Sequence, residues 1–292
     1  MANLKEIRNR IVSISSTRQI TSAMKMVSAA KLRRAQDAIT QMRPYSRKLQ
    51  EILENLSSGL DSNDGVYSQE REVKNVLFVS ITANRGLCGG FNNNVIKTIK
   101  KLTDAEYADC NVTIISIGKK SMDSFKANQS AINGKEIFSK SVEIIDNLTF
   151  EHTAEIAQKL MDQFATKKQD KIVLVYNQFK NAAVQEIQIE QFLPVVPTAN
   201  ESASKSSTDY IFEPNKEFII QELIPKSLKT QLFKALLDSQ ASEHGARMTA
   251  MHKATDNATD LINALKLSYN KARQASITNE ILEIVAGAEA LN

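Results

Sequence analysis

The sequence predicts a mixed α+β and α/β fold: a long coiled coil made by the N- and C-terminal helices, with a Rossmann-like α/β globular domain inserted between them. Three observations carry this. Residues 1–58 hold no glycine and one proline, Pro44, while residues 226–286 hold no proline and one glycine, Gly245. The stretch between is rich in β-branched residues and punctuated by glycine. Both flanks repeat apolar residues at steps of three and four, the signature of a helix with one buried stripe. A helix of about 55 residues is about 80 Å long and cannot cover such a stripe alone, so the flanks wind around each other. The expected organisation is residues 1–58 and 213–292 as one discontinuous helical domain around a central domain at 59–212.

In the first helix the stripe reads Leu4, Ile7, Ile11, Ile14, Met24, Val27, Leu32, Ala35, Ile39, Met42, Leu49, Ile52, Leu53 and Leu56. Asn3 with Glu6 three residues later resembles a capping box. Pro44 is expected to bend or locally break the helix, because it removes a backbone donor and crowds the preceding turn. Gly59 and the run Asp61 to Gly65 should stop it. In the centre, Val76 to Ile81 is a short apolar run suited to a strand buried on both faces. It passes through Asn84-Arg85-Gly86-Leu87-Cys88-Gly89-Gly90 into a helix at about 92–102. Val112 to Ile117, ended by Gly118, is the next strand, and a helix at about 151–168 precedes a strand at 172–176. This alternation predicts a small, mostly parallel sheet. Val184 to Phe192 alternates instead and fits a half-solvated antiparallel edge strand. Residues 197–209 are a surface linker.

From Pro214 the helical signal returns, with Pro225 as a second boundary or kink. The second stripe reads Leu228, Leu232, Leu236, Met248, Met251, Ala254, Ala258, Leu261, Leu265, Ser268, Ala272 and Ala275. The second helix outlasts the first by roughly 20 residues on this pattern. In an antiparallel pair the surplus would protrude as a single helix ending in Ile281-Leu282-Glu283-Ile284-Val285-Ala286. That end is apolar on more than one side and needs a protein sleeve.

Charge and chemistry narrow the function classes. The net charge of +4 hides an uneven distribution, because residues 1–58 carry eleven Lys/Arg against four acids. A basic helix fits nucleic acid, an anionic membrane or an acidic protein surface. Tyr45 is the sole aromatic residue there, so base stacking is disfavoured. No 18-residue apolar run is present to span a bilayer, and the start Met-Ala-Asn-Leu-Lys-Glu-Ile lacks a signal-peptide or transit pattern. Cys88 and Cys110 show neither metal spacing nor a disulfide framework and are expected to be buried free thiols. Gly86-x-x-Gly89-Gly90 fits neither phosphate-binding fingerprint and reads as a tight crossover. His152, His244 and His252 are too scattered for a metal site. No Ser-His-Asp or Cys-His arrangement is visible. No catalytic, metal or cofactor-binding residues are therefore assigned.

Several blocks then carry a family resemblance. Lys5-Glu6-Ile7-Arg8-Asn9-Arg10-Ile11, Ile20 to Val27, Arg85-Gly86-Leu87-Cys88-Gly89-Gly90, Ala246 to Met251, Ala254 to Ala258 and Tyr269 to Glu280 resemble the gamma subunit of F-type ATP synthase. They span both helices and the central loop. Asn84 departs from the pattern, standing where an acid is frequent, and Pro225 interrupts the second helix. No regulatory cysteine insert is evident, which with the missing transit peptide points to the bacterial type. The resemblance implies an antiparallel coiled coil acting as a rotor axle inside a ring of three alpha and three beta subunits. It implies a foot bound to the epsilon subunit and the c-ring, at the cytoplasmic face of the bacterial plasma membrane, and no catalysis by this chain alone. It also implies that Met24, Arg247, Arg273, Gln274, Thr278, Glu280 and Glu283 meet the beta subunits and transmit torque. Arg85, Gly86, Leu87, Cys88, Gly89, Gly90 and Tyr210 fall nearer the foot. Two other classes compete: a passive coiled-coil adaptor, which leaves the polar blocks unexplained, and an RNA-contacting enzyme with a helical arm, which lacks a site.

Overall fold

The computed structural model describes residues 4–57, 66–126, 143–195 and 216–289. Asn3, the stop signal at 59–65, the linker at 197–209 and Tyr210 lie outside them. In order the elements are α1 (Leu4–Ser57), β1 (Asn75–Ile81), α2 (Phe91–Ala105), β2 (Asn111–Ile117), α3 (Lys119–Phe125), α4 (Glu143–Asp146), α5 (Phe150–Ala165), β3 (Lys171–Phe179), β4 (Gln185–Leu193) and α6 (Lys216–Glu289). The chain divides into two compact units, residues 30–246 and residues 1–29 with 247–292.

The larger unit is built on a four-stranded sheet of order β2-β1-β3-β4. β1 pairs in parallel with β2 and with β3, and β3 pairs antiparallel with β4. The mostly parallel sheet with an antiparallel edge is thus the one the apolar patterns foretold. Strand alternation sorts β1 between two cores. Leu77, Val79 and Ile81 face a cluster completed by Ile156, Leu160 and Phe164 of α5 and by Leu228, Leu232 and Leu236 of α6. Val76 and Phe78 face Val95, Ile99 and Leu102 of α2 and Phe125 of α3. Helices on both faces explain why β1 is a continuous apolar run. The α6 segment that the sequence reads as coil here buries its stripe on a sheet, because an i, i+4 leucine row fits either surface.

Among the described residues three turns carry a positive φ, one of them at Lys167 after α5, with φ 59°. Leu87 and Gly89 have φ of 62° and 59°, in the loop before α2. Gly118, at φ 107°, carries the chain so close to β1 that a Cβ would lie 2.1 Å from the Thr82 carbonyl oxygen. Cys88 is buried, as expected, but Cys110 is only half-buried, near the surface with its Sγ directed at the Val73 carbonyl.

Neither proline ends its helix. α1 runs unbroken through Pro44 and α6 through Pro225. A mid-helix proline costs roughly 3 kcal/mol, and around Pro44 tertiary contacts offset that. Ile39 and Leu49 are buried on either side, and the Arg43 guanidinium donates to the Phe179 carbonyl at 3.2 Å. Pro225 stands beside the buried Leu228 and Leu232, which hold the following turns on the sheet.

The smaller unit is an antiparallel helix pair. Thr21 meets Thr255 and Lys25 meets His252, so a step up α1 is a step down α6. One row of covered positions on each helix steps by four and three: Ile7, Ile11, Ile14, Arg18, Thr21, Lys25 and Ser28 on α1, and Met251, Thr255, Ala258, Ile262, Leu265, Tyr269, Ala272 and Ser276 on α6, with half-buried flanking positions such as Ser15, Ser22, Met24, Ala254 and Thr259 beside it. A period of about 3.5 is the left-handed coiled-coil repeat. This phase corrects the sequence-derived stripe. Val27 is 58% and Leu261 49% exposed, while Ser28 and Ile262 take their places in the seam. The repeat holds its phase through polar positions, which apolar identity alone cannot reveal.

Candidate partner-binding surfaces

In this register Leu4 falls opposite the turn around Ala272, so α6 runs on past the start of described α1. Its last turns expose Ile277, Ile281, Leu282, Ile284 and Val285. At 100° per residue, the seam position Ser276 is continued by Glu283, seven residues on. The exposed apolar side chains lie round the opposite side. Arg273, Ile277, Glu280 and Ile284 share one face at i, i+4, i+7 and i+11. Gln274, Thr278, Ile281 and Val285 share the next. Charged and amide groups therefore alternate with branched apolar ones on a surface that the rest of the unit leaves uncovered.

Arg273, Gln274, Thr278, Glu280 and Glu283 are all exposed. Among the described residues the bonds that reach them are short-range: the Thr278 hydroxyl donates to the Gln274 carbonyl at 2.9 Å, and the Ser276 hydroxyl to Glu280 at 3.4 Å. Met24 is half-buried, and Arg247 is 8% exposed and engaged within the chain. The seven residues thus divide into an open group near the end of α6 and an inward pair.

The loop at 85–90 is a tight crossover between β1 and α2. Asn92 fastens it, accepting from the Ala83 N–H at 2.8 Å and donating to the Cys88 Sγ at 3.1 Å. Arg85, Leu87, Gly89 and Gly90 are exposed, Gly86 is half-buried and Cys88 is buried. Asn84 donates to Asp146 at 3.1 Å and accepts from the Lys119 N–H at 3.1 Å. An acid at 84 could accept the second bond but would repel Asp146, so an amide suits this position. Among the described residues no cluster of His, Cys, Asp and Glu is placed to hold a metal, and no helix is long and apolar enough to cross a membrane.

A polar cluster in the larger unit escaped the sequence. Arg43 of α1 pairs with Asp238 of α6 at 3.2 Å. The Asp238 side chain is fully buried, and its Oδ2 has no hydrogen-bond partner among the described residues. Burial raises its carboxyl above the ordinary range, and the charges of Arg43 and Lys234 oppose that shift. Beside it the Tyr176 hydroxyl donates to Glu190 at 2.6 Å, and Gln231 donates to the other Glu190 oxygen at 2.8 Å and to the Gln191 carbonyl at 3.2 Å. Burial, with the neighbouring Glu190 charge, holds the Tyr176 phenol far above its usual value. The one available signal was an acid directly after Leu236-Leu237, inside an apolar row.

A family model described as ATP synthase matches residues 3–291. The ATP synthase gamma chain of Flavobacterium johnsoniae is 63% identical over 293 residues, covering 100% of both chains. The chain belongs to the ATP synthase gamma chain family. Family members from Cytophaga hutchinsonii and Geobacter metallireducens are 50% and 43% identical, each over 100% of this chain. The family fold is also found in solved structures. The rotor of Euglena gracilis mitochondrial ATP synthase aligns with a TM-score of 0.62 at 21% identity, over 94% of this chain and 98% of that one. The Tetrahymena thermophila mitochondrial central stalk and c-ring structure gives 0.57 at 24% identity, over 80% and 99%.

Proposed function

We propose that this chain is the central-stalk rotor of a bacterial F1Fo ATP synthase. It transmits torque between an ion-driven c-ring and the catalytic sites of an alpha3beta3 ring, and performs no catalysis of its own. The observation that carries this is the end of α6: a helix past its coiled-coil partner, apolar on the outward side, with Arg273, Gln274, Thr278 and Glu280 set among the apolar groups. Apolar burial is non-directional and lets a shaft turn in a collar, whereas angle-dependent grip needs polar groups.

On this reading the two helical segments, 1–58 and 213–292, act as one discontinuous domain and 59–212 as the insert they carry. Met24, Arg247, Arg273, Gln274, Thr278, Glu280 and Glu283 serve the beta subunits. The loop Arg85 to Gly90, with Tyr210, serves the epsilon subunit and the c-ring. The chain is then peripheral, held at the cytoplasmic face of the plasma membrane through its partners. The test is affinity purification of the tagged chain from detergent-solubilised membranes. Alpha, beta, epsilon and c subunits should co-purify with ATPase activity, and the isolated chain should show none. A cysteine at Ile281, cross-linked to the ring, should block turnover until reduced. Full turnover in the cross-linked state would point to a static spacer instead.

A further inference from the structure

Torque that enters through the globular unit has to reach two helices, and α1 and α6 differ in how they are attached there. α6 lays Leu228, Leu232 and Leu236 into the sheet core. Among the described residues α1 contributes none to either of the two cores around the sheet, although its Leu32, Ala35, Ile39 and Leu49 are buried. Its most specific fastening in this unit is Arg43. That guanidinium donates to the Phe179 carbonyl at the end of β3 and to Asp238 of α6, both at 3.2 Å. Seven residues before Asp238, on the same face of α6, Gln231 is bonded to Glu190 and to the Gln191 carbonyl of β4. Tyr176 of β3 holds the other oxygen of Glu190.

We propose that Arg43 and Asp238, with Gln231 and Glu190 beside them, form a polar clamp that fixes the angle of both helices against the sheet and so keeps ion flow coupled to catalysis. The inference rests on the rotor reading above. The chemistry favours an angular role over a merely cohesive one. A fully buried carboxylate with one orphan oxygen is a poor way to stabilise a fold, because desolvation offsets most of the attraction. Burial does push that carboxyl upward, as such a cost requires. Two apolar side chains of similar volume would hold the helices together as well or better. They would not hold them at one angle, because apolar contact lets neighbours slide while a guanidinium shared between a carbonyl and a carboxylate does not. Arg43 and Asp238 are thus positioning residues, acting on the catalytic sites only through the helices they orient.

The experiment uses the whole complex in membrane vesicles, with ion pumping and ATP hydrolysis measured on the same preparation. In Arg43→Met/Asp238→Leu the complex should assemble in normal yield and hydrolyse ATP, with ions pumped per ATP reduced about fivefold, the factor set by roughly one lost hydrogen bond. Arg43→Lys should recover most of the ratio, because an ammonium can still pair with Asp238. A ratio unchanged in the double variant overturns the proposal, as does a fall matched by an equal fall in complex yield. If the double variant does not assemble, Gln231→Ala serves in its place, since it removes the second attachment from a half-buried site; an unchanged ratio there also overturns it. Failure of the unsubstituted chain to join a coupled complex would instead sink the rotor reading itself.

Discussion

The Thr255 hydroxyl lies 2.9 Å from that of Thr21, across the seam of the coiled coil. Each hydroxyl also faces a carbonyl of its own helix, Thr21 that of Arg18 at 3.0 Å and Thr255 that of Met251 at 2.8 Å, so the bond across the seam forms when one of the two turns its proton from that carbonyl to the other hydroxyl. One turn along, Lys25 and His252 meet at 3.4 Å. The middle of the seam is therefore polar, a device that specifies register at some cost in stability. Thr255→Val should lower the stability of the full chain by about 1 kcal/mol. Thr21→Val/Thr255→Val should regain most of it, since both ends of the bond are gone. Thermal unfolding of the four proteins forms the cycle, and strictly additive effects would show that the two hydroxyls do not interact.

Among the described glycines, Gly118 is the least tolerant of a side chain. A Cβ there would meet the Thr82 carbonyl oxygen at 2.1 Å, and φ 107° is itself hostile to L-residues. Gly118→Ala should cost more than about 3 kcal/mol and show as loss of soluble chain. Gly287, within α6, has open space around its Cβ direction. Gly287→Ala should be neutral or stabilise by about 0.5–1 kcal/mol. Equal behaviour of the two variants in denaturant unfolding would refute the close approach of β1 and the turn after β2.

Asp238 gives the chain a pH dependence of definite sign. Its folded carboxyl is raised above the unfolded value of 3.8, chiefly by burial. The native state thus holds this proton more tightly than the unfolded chain does, so this contribution to stability is full below that value and is lost as pH rises through the raised one. Asp238→Asn should flatten that arm of the stability profile while leaving the acid limb set by other groups. Parallel profiles for the two proteins, measured by urea unfolding across the acidic range, would assign the dependence elsewhere.

The exposed end of α6 can be probed by shortening. Removing residues after Val285 should lower complex yield only modestly, because an apolar collar needs no particular partner. Removal back through Arg273 takes the mixed polar faces as well and should abolish most coupling. A uniform loss per residue across the series would show that support and grip are not separate.

Much of this architecture was legible because periodicity is a local property. Flanks almost without glycine and with three-four spacing gave two long helices, and the apolar run Val76 to Ile81 gave a strand covered on both faces. The alternation Ile187, Ile189 gave an edge strand. Full-length blocks such as Arg85 to Gly90 gave the family. What remained hidden depends on contacts between residues far apart in the chain. The seam places Ser28 and Ile262 inward because the two helices are locked in phase at Thr21 and Thr255, a relationship 234 residues long that no window of sequence contains. Pro44 and Pro225 look like breaks, yet burial of Ile39, Leu49, Leu228 and Leu232 around them outweighs one missing backbone bond. Asp238 is one more helix acid in the sequence. Only the fold takes it out of water and sets it 3.2 Å from a guanidinium 195 positions earlier, which gives an ordinary carboxylate a structural role.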